Sequence, residues 1–123
     1  MYFCENIVEL AKSNTNFRKE MVTGEHSQVV LMSIPPGGEI GEEVHEVDQV
    51  LVFVEGGGKA ILNDEETRIE ADTLVFVPAG TKHNFINVGA SDLKLYTVYA
   101  PPEHNPGTIH KTKEEADAAE HHE

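Results

Sequence analysis

Pro78-Ala79-Gly80-Thr81-Lys82-His83, with Asn87 a few residues on, is the stretch of this chain that decides its fold. Proline and glycine set a tight turn, and an apolar strand opened by a histidine follows it. A β-barrel would present a metal ligand at such a position. Asn87, at the far end of that strand, is expected to satisfy backbone groups there.

A second cluster lies upstream. Glu43 and His45 stand two residues apart and Gln49 follows four residues later. Residues at i and i+2 share one face of a strand. With Glu43 and His45 inward on one strand, a short turn at Glu46 to Asp48 reverses the chain, and Gln49 opens the next strand with Leu51 and Phe53 on its own face. Those three donors then converge with His83. Asp48 points the other way and is read as solvated.

The rest of the chain has the punctuation of an antiparallel sandwich or barrel. Apolar and β-branched runs recur at Val29 to Ile34, Val50 to Val54, Lys59 to Leu62, Leu74 to Val77, His83 to Val88 and Leu93 to Tyr99. They are separated by Pro35-Pro36-Gly37-Gly38, Gly56-Gly57-Gly58, Asn63-Asp64, Pro78-Ala79-Gly80 and Gly89-Ala90-Ser91. Residues 1–27 read as a polar lead-in in which Asn6 and Glu9 are spaced to cap a short helix on the outside of the barrel. Beyond Tyr99, proline and glycine end the sheet pattern. Thr112 with Glu115 predicts a second capped helix through about Ala119, with residues 120–123 frayed. Val50 to Val54 and Leu74 to Val77 are apolar on both faces, so the outer face needs a cover. A second copy of the chain is the expected cover, making a homodimer, and a folded-back terminal segment is the other option.

These motifs resemble those of the cupins. Counting back from Gly56, Gln49 stands at the glutamate of the first cupin motif, His45 at its second histidine, Glu43 at its first histidine and Gly38 near its leading glycine. Pro78, Gly80, His83 and Asn87 match the second motif, with Asp72 where a glycine is usual. The segment Pro101-Pro102-Glu103-His104-Asn105-Pro106-Gly107-Thr108, running on through His110 to Asp117, is similar to the ending of a group of small single-domain cupins. The resemblance implies an all-β, double-stranded β-helix (jelly-roll) barrel over residues 28–100, between a lead-in at 1–27 and a tail at 101–123. Relative to the family pattern the carboxylate is moved, from the position of Gln49 to that of Glu43.

Two imidazoles, a carboxylate and an amide carbonyl form a mixed nitrogen and oxygen set that suits a divalent iron, manganese, nickel, zinc or copper ion better than calcium. His45, His83 and Glu43 have the composition of a two-histidine, one-carboxylate triad with open positions, and Gln49 would be a weaker, neutral fourth ligand. Each has a blander reading. His83 is also explained as an interior histidine bonded to a neighbour, Glu43 with His45 as a solvent-facing polar patch, and Gln49 as a hydrogen-bond support. Phe53, Phe85 and Tyr99 share the interior if the strand phases hold, giving a small pocket with apolar walls. His26, His104, His110, His121 and His122 have no partner at ligand spacing and are read as surface, the alternative being that His104 or His110 reaches the barrel mouth when the tail folds over.

Composition narrows the partners. With 22 acidic against 9 basic residues the net charge is −13, which repels nucleic acid and anionic membranes. The single cysteine, Cys4, excludes an internal disulfide or a cysteine-based zinc site. No basic segment followed by an apolar one opens the chain and no apolar run nears a membrane span, so a cytoplasmic location is expected. Two function classes follow. One is a metal-dependent enzyme of dioxygenase or isomerase type acting on a small molecule, with Glu43 also available as proton acceptor; those activities are implied only by the resemblance. The other is a non-catalytic module that binds a small ligand or a metal.

Overall fold

The structure is a computed structural model that describes residues 2–121, with side chains through residue 119. Its elements are α1 (Ile7–Ser13), β1 (Arg18–Thr23), β2 (Gln28–Ile34), β3 (Glu43–Val44), β4 (Asp48–Glu55), β5 (Gly57–Leu62), β6 (Glu65–Glu70), β7 (Leu74–Val77), β8 (Lys82–Asn87), β9 (Leu93–Ala100), β10 (Ile109–His110) and α2 (Lys113–His121). All strand pairs are antiparallel. They form a six-stranded sheet in the order β10-β1-β2-β9-β4-β7 and a four-stranded sheet in the order β3-β8-β5-β6.

All six runs read as strands are strands, with ends shifted by a residue or two. One shift is at β5, which takes in Gly57 and Gly58 although glycines usually break strands. A Cβ on Gly58 would collide with the Ile86 carbonyl of β8, so only glycine lets the two strands close up there. The Asn63-Asp64 separator is a two-residue hairpin turn with both φ angles positive, at 49° and 70°, as the right-handed twist of β5 and β6 requires. Asp72, which replaces the usual glycine, has φ of 72°. A short polar side chain tolerates this left-handed backbone, which explains the substitution.

Four strands carry no apolar run, and of these only β3, expected to carry Glu43 and His45, is foreseen from the sequence. β6 is charged and almost wholly exposed, as suits the edge of a sheet. β3 and β10 have two residues each. β1 lies within the lead-in, pairing with β2 on one side and β10 on the other, so the six-stranded sheet recruits strands from both sides of residues 28–100.

The inner faces of the sheets enclose one core, with Phe53, Phe85, Leu95 and Met32 fully buried. The outer face of the six-stranded sheet buries a second apolar cluster, in which Ala11 and Leu10 of α1 meet Leu31, Val54 and Tyr96. A terminal segment therefore covers part of this face. The helix is fixed at both ends: the Asn6 side chain accepts the Glu9 N–H at 3.1 Å, and the buried Lys94 ammonium donates to the Asn14 carbonyl at 2.5 Å, where a helix C-terminus favours positive charge. Leu74 and Phe76 of edge strand β7 remain exposed. At the other end Thr112 caps α2 by accepting the Glu115 N–H at 3.2 Å. The helix runs to His121, past the expected end at Ala119. The frayed end foreseen for residues 120–123 is thus helical backbone as far as His121, and its last two residues lie outside the described ones. Ala116 is buried in the main core, so α2 seats on the mouth of the barrel. Among the described residues no helix is long and apolar enough to cross a membrane.

Candidate metal centre

Glu43 and His83 are direct cross-strand partners in β3 and β8, so their side chains project to the same face. His45 lies just beyond the end of β3, immediately before the bend at Glu46 and Val47 that carries the chain from the four-stranded sheet to the six-stranded one. The expected hairpin reversal is absent because β3 and β4 belong to different sheets. The bend nevertheless delivers His45 to the same place: one donor atom each from Glu43, His45 and His83 lies within 4.8 Å of the others, and the two imidazole centroids are 5.1 Å apart.

The Pro78–Gly80 turn holds both histidines. Gly80, at φ 86°, donates its N–H to the His45 carbonyl at 2.8 Å, and Thr81 N–H bonds back to Pro78 at 3.2 Å. The Thr81 carbonyl lies 2.8 Å from His83 Nδ1. A carbonyl only accepts, so Nδ1 carries the proton and Nε2 keeps its lone pair. Asp48, exposed as expected, braces the turn by accepting the Ala79 N–H at 3.0 Å. Asn87 is buried and donates to the carbonyls of Ile34 and Ser91 at 2.8 and 2.9 Å while accepting the Gly89 N–H at 2.9 Å, the strand-end role expected of it.

Gln49 stands on β4 opposite Tyr99 of β9 and Val77 of β7. It is almost fully buried. Its amide nitrogen donates to Thr97 Oγ1 at 3.0 Å, which leaves the amide oxygen buried with no hydrogen-bond partner. An orphaned buried carbonyl is costly unless something electropositive meets it.

The electrostatics also favour a cation. Burial pushes the Glu43 carboxyl up, but His45, with Arg18 and His83 behind it, outweighs burial and holds the group below its usual range. The Glu43 carboxylate, 3.6 Å away, raises His45. Burial lowers His83, keeping its imidazole neutral. Neutral imidazole beside ionised carboxylate, the state favoured at His83 and Glu43, is the one in which both bind a metal, whereas at His45 a metal would take the place of the proton that Glu43 favours. The Glu43, His45 and His83 donor set therefore fits a divalent first-row ion.

Phe53, Phe85 and Tyr99 are all interior. The Phe53 and Phe85 rings are 5.6 Å apart, His83 lies 6.1 Å from Phe85, and His45 meets Tyr99 edge-on at 6.0 Å. They pack behind the histidines. The neighbouring cavities are lined by other residues. One, of about 280 Å³, touches Glu43, Arg18, Ile40 and Lys113 beneath α2. The other, of about 120 Å³, touches Arg18, Glu103, His104 and His110.

The tail corrects the reading of the outlying histidines. His26 is exposed, but His104 folds inward: its Nε2 is buried without a partner, its ring meets Tyr99 edge-on at 5.1 Å, and burial with Arg18 lowers its pKa to about 3. His110 Nδ1 lies 3.4 Å from an Arg18 nitrogen, so neither is a simple surface residue. The side chains of His121 and His122 lie outside the described residues. Glu103 also reaches the cluster, 3.7 Å from His45. The anchor of this segment is Gln28, whose side-chain oxygen accepts the N–H groups of Glu103 and His104 at 3.2 and 3.0 Å and whose nitrogen donates to the His104 carbonyl at 2.6 Å. Arg18, buried beside Glu43, is the largest omission from the sequence reading. Its neighbours Lys19 and Glu20 give β1 no apolar period that would mark the strand.

Known proteins agree with this architecture. Uncharacterized protein YrkC of Bacillus subtilis is 44% identical over 96% of this chain and 67% of its own length. Uncharacterized protein L612 of Acanthamoeba polyphaga mimivirus is 35% identical over 85% of this chain and 68% of its own. The crystal structure of BH2720 from Bacillus halodurans superposes with a TM-score of 0.93 at 42% identity, covering 94% of this chain and 93% of that one. The cupin domain family matches residues 30–99, the stretch that runs from within β2 into β9 and holds all four candidate donors, and the chain belongs to that family.

Proposed function

We propose that this protein holds one divalent first-row transition metal through Glu43, His45 and His83, with the Gln49 carbonyl as a neutral fourth donor, and acts on a small molecule at the positions left open. The observation that carries the reading is the convergence of three donors from β3, the bend and β8 within 4.8 Å. A bound iron, manganese, nickel, zinc or copper ion would supply Lewis acidity toward a substrate oxygen. The chain's own residues supply position and charge. His83 offers Nε2 because Thr81 fixes its tautomer, and Glu43 is kept ionised by its cationic neighbours. A lowered pKa makes Glu43 a ready ligand and a weak proton acceptor, so its role as ligand comes before any role as base.

Turnover of the dioxygenase or isomerase type is the enzymatic form of this reading, and a small-ligand or metal-binding module is its non-catalytic form. Plasma mass spectrometry on wild type beside His83→Ala tests the centre without assuming a substrate. About one metal per chain in the wild type, lost in a folded His83→Ala, is expected. Wild type that takes up none of the five metals on reconstitution overturns the reading.

The stripe left open by α1, with Leu74 and Phe76 exposed on β7, is the face through which two copies pair. Light scattering at micromolar concentration should give the mass of two chains, and the mass of one would sink the dimer.

A further inference from the structure

Arg18 and Arg68 are the chain's two arginines. Arg68 is exposed, whereas Arg18 is 3% exposed and sits at the start of β1 facing the barrel interior. Burying a guanidinium is costly unless its charge and its five N–H groups are met. Here they are met only in part. One nitrogen lies 3.4 Å from His110 Nδ1, the Tyr99 side chain is a further hydrogen-bond partner, the guanidinium stacks on Phe17 at 5.3 Å, and Nε has no partner. Among the described residues none of the ion pairs includes Arg18. Arg18 is also the residue common to the two cavities, of about 280 and 120 Å³, and Glu43 lines the larger.

We propose that Arg18 is the anion-recognition residue of the site: the substrate is a small carboxylic acid with a second oxygen close to the carboxylate, which Arg18 binds while that oxygen faces the Glu43–His45–His83 centre. This rests on the metal-centre reading above. The reasons are geometric and electrostatic. A guanidinium presents paired donors matched to a carboxylate, and the orphan Nε is one arm of such a pair. The cavity shared with Glu43, about 280 Å³, lies at the lower edge of the range of about 300–1,000 Å³ for drug-sized ligands, which suits a small substrate. The second orphan, Nε2 of His104, lines the smaller cavity on the far side of Arg18.

Pyruvate and its neutral amide, pyruvamide, differ only in the group Arg18 would read. Calorimetric titration of zinc-loaded wild type should show pyruvate binding at least about ten-fold more tightly than pyruvamide. In Arg18→Gln that preference should vanish while zinc stoichiometry is unchanged. Equal binding of the two probes by wild type, or an undiminished preference in Arg18→Gln, overturns the proposal. If Arg18→Gln fails to fold or loses zinc, the wild-type protein decides by nitrogen NMR: the Arg18 Nε–H resonance, told from that of Arg68 with an Arg68→Lys variant, should move with pyruvate and stay with pyruvamide. No differential movement overturns the proposal. The same titration on metal-free protein separates the two readings. An Arg18 response in a chain that takes up no zinc sinks the metal centre and keeps the carboxylate site; zinc uptake without pyruvate selectivity does the reverse.

Discussion

Two regions of this barrel are held by buried amides, and a third amide of the same kind is left half open. Asn87, at the end of β8, and Gln28, at the start of β2, are each 1% exposed and spend both ends of their side chains on the backbone. Asn87 clamps Ile34, Ser91 and Gly89. Gln28 clamps Glu103 and His104, and also donates to Thr23 Oγ1 at 2.8 Å. Gln49, at 3% exposed, spends only its nitrogen, on Thr97. A buried amide with full partners serves the fold. One that keeps a bare carbonyl inside the barrel, where desolvation is penalised, is held for something the fold itself does not supply.

Breaking the clamps should cost stability in unequal amounts. Asn87→Ala has the largest expected effect, about 3 kcal/mol, because it strands three backbone groups in a strand end that cannot reach water without opening the barrel. Guanidinium melts should show the loss with no change in slope. Gln28→Leu should cost about 2 kcal/mol, less than its bonds imply, because the tail can lift into water and re-satisfy Glu103 and His104 there. Hydrogen exchange distinguishes the two variants: in Gln28→Leu the amides of Glu103 and His104 lose protection while those of β9 keep it, whereas Asn87→Ala loosens β8 and β9 together.

The same contrast explains what the sequence disclosed. The Asn87 clamp and the His83 donor follow a Pro-x-Gly turn at fixed offsets, so local chemistry marks them. The six apolar runs disclose the strands that build the core, because burial on one or both faces leaves a periodic trace. Arg18 and His104 leave none. Their positions depend on β1 joining β2 and on the tail returning over Gln28 through bonds between residues 75 and 76 apart in the chain, neither of which the side-chain pattern encodes. His45 lies between these cases. Its spacing to Glu43 marked it correctly as a partner, but the bend that aims it inward depends on which sheet each neighbouring strand joins.

Acid should weaken the tail clamp before it weakens the turn. His104 has a folded pKa of about 3 against roughly 6.5 unfolded, so between those values the unfolded chain takes up a proton that the folded chain refuses. Its contribution is fully present above pH 6.5 and is lost as pH falls toward 3, at up to about 1.4 kcal/mol per pH unit. Melts at pH 7, 6 and 5 should therefore fall more steeply in wild type than in His104→Gln. Gln28→Leu, with the tail released, should follow His104→Gln; parallel curves for all three proteins would mean that the tail does not bury His104 in solution.

Gln49 gives the smallest effect on folding and the clearest test of the comparison. Gln49→Met keeps the volume, removes the bare carbonyl and gives up only the bond to Thr97, whose hydroxyl still donates to the Val50 carbonyl at 2.8 Å. Losing one hydrogen bond is set against ending the burial of an unpaired oxygen, so metal-free stability should change by less than about 1 kcal/mol. Metal affinity should fall by about ten-fold, the effect expected when a weak neutral ligand or a supporting partner is removed from a site whose charged and imidazole donors remain. A chelator competition titration on both proteins reads that ratio directly. Equal affinities together with a large loss of stability would make Gln49 a third structural clamp, and the distinction drawn between the open amide and the two closed ones would fail.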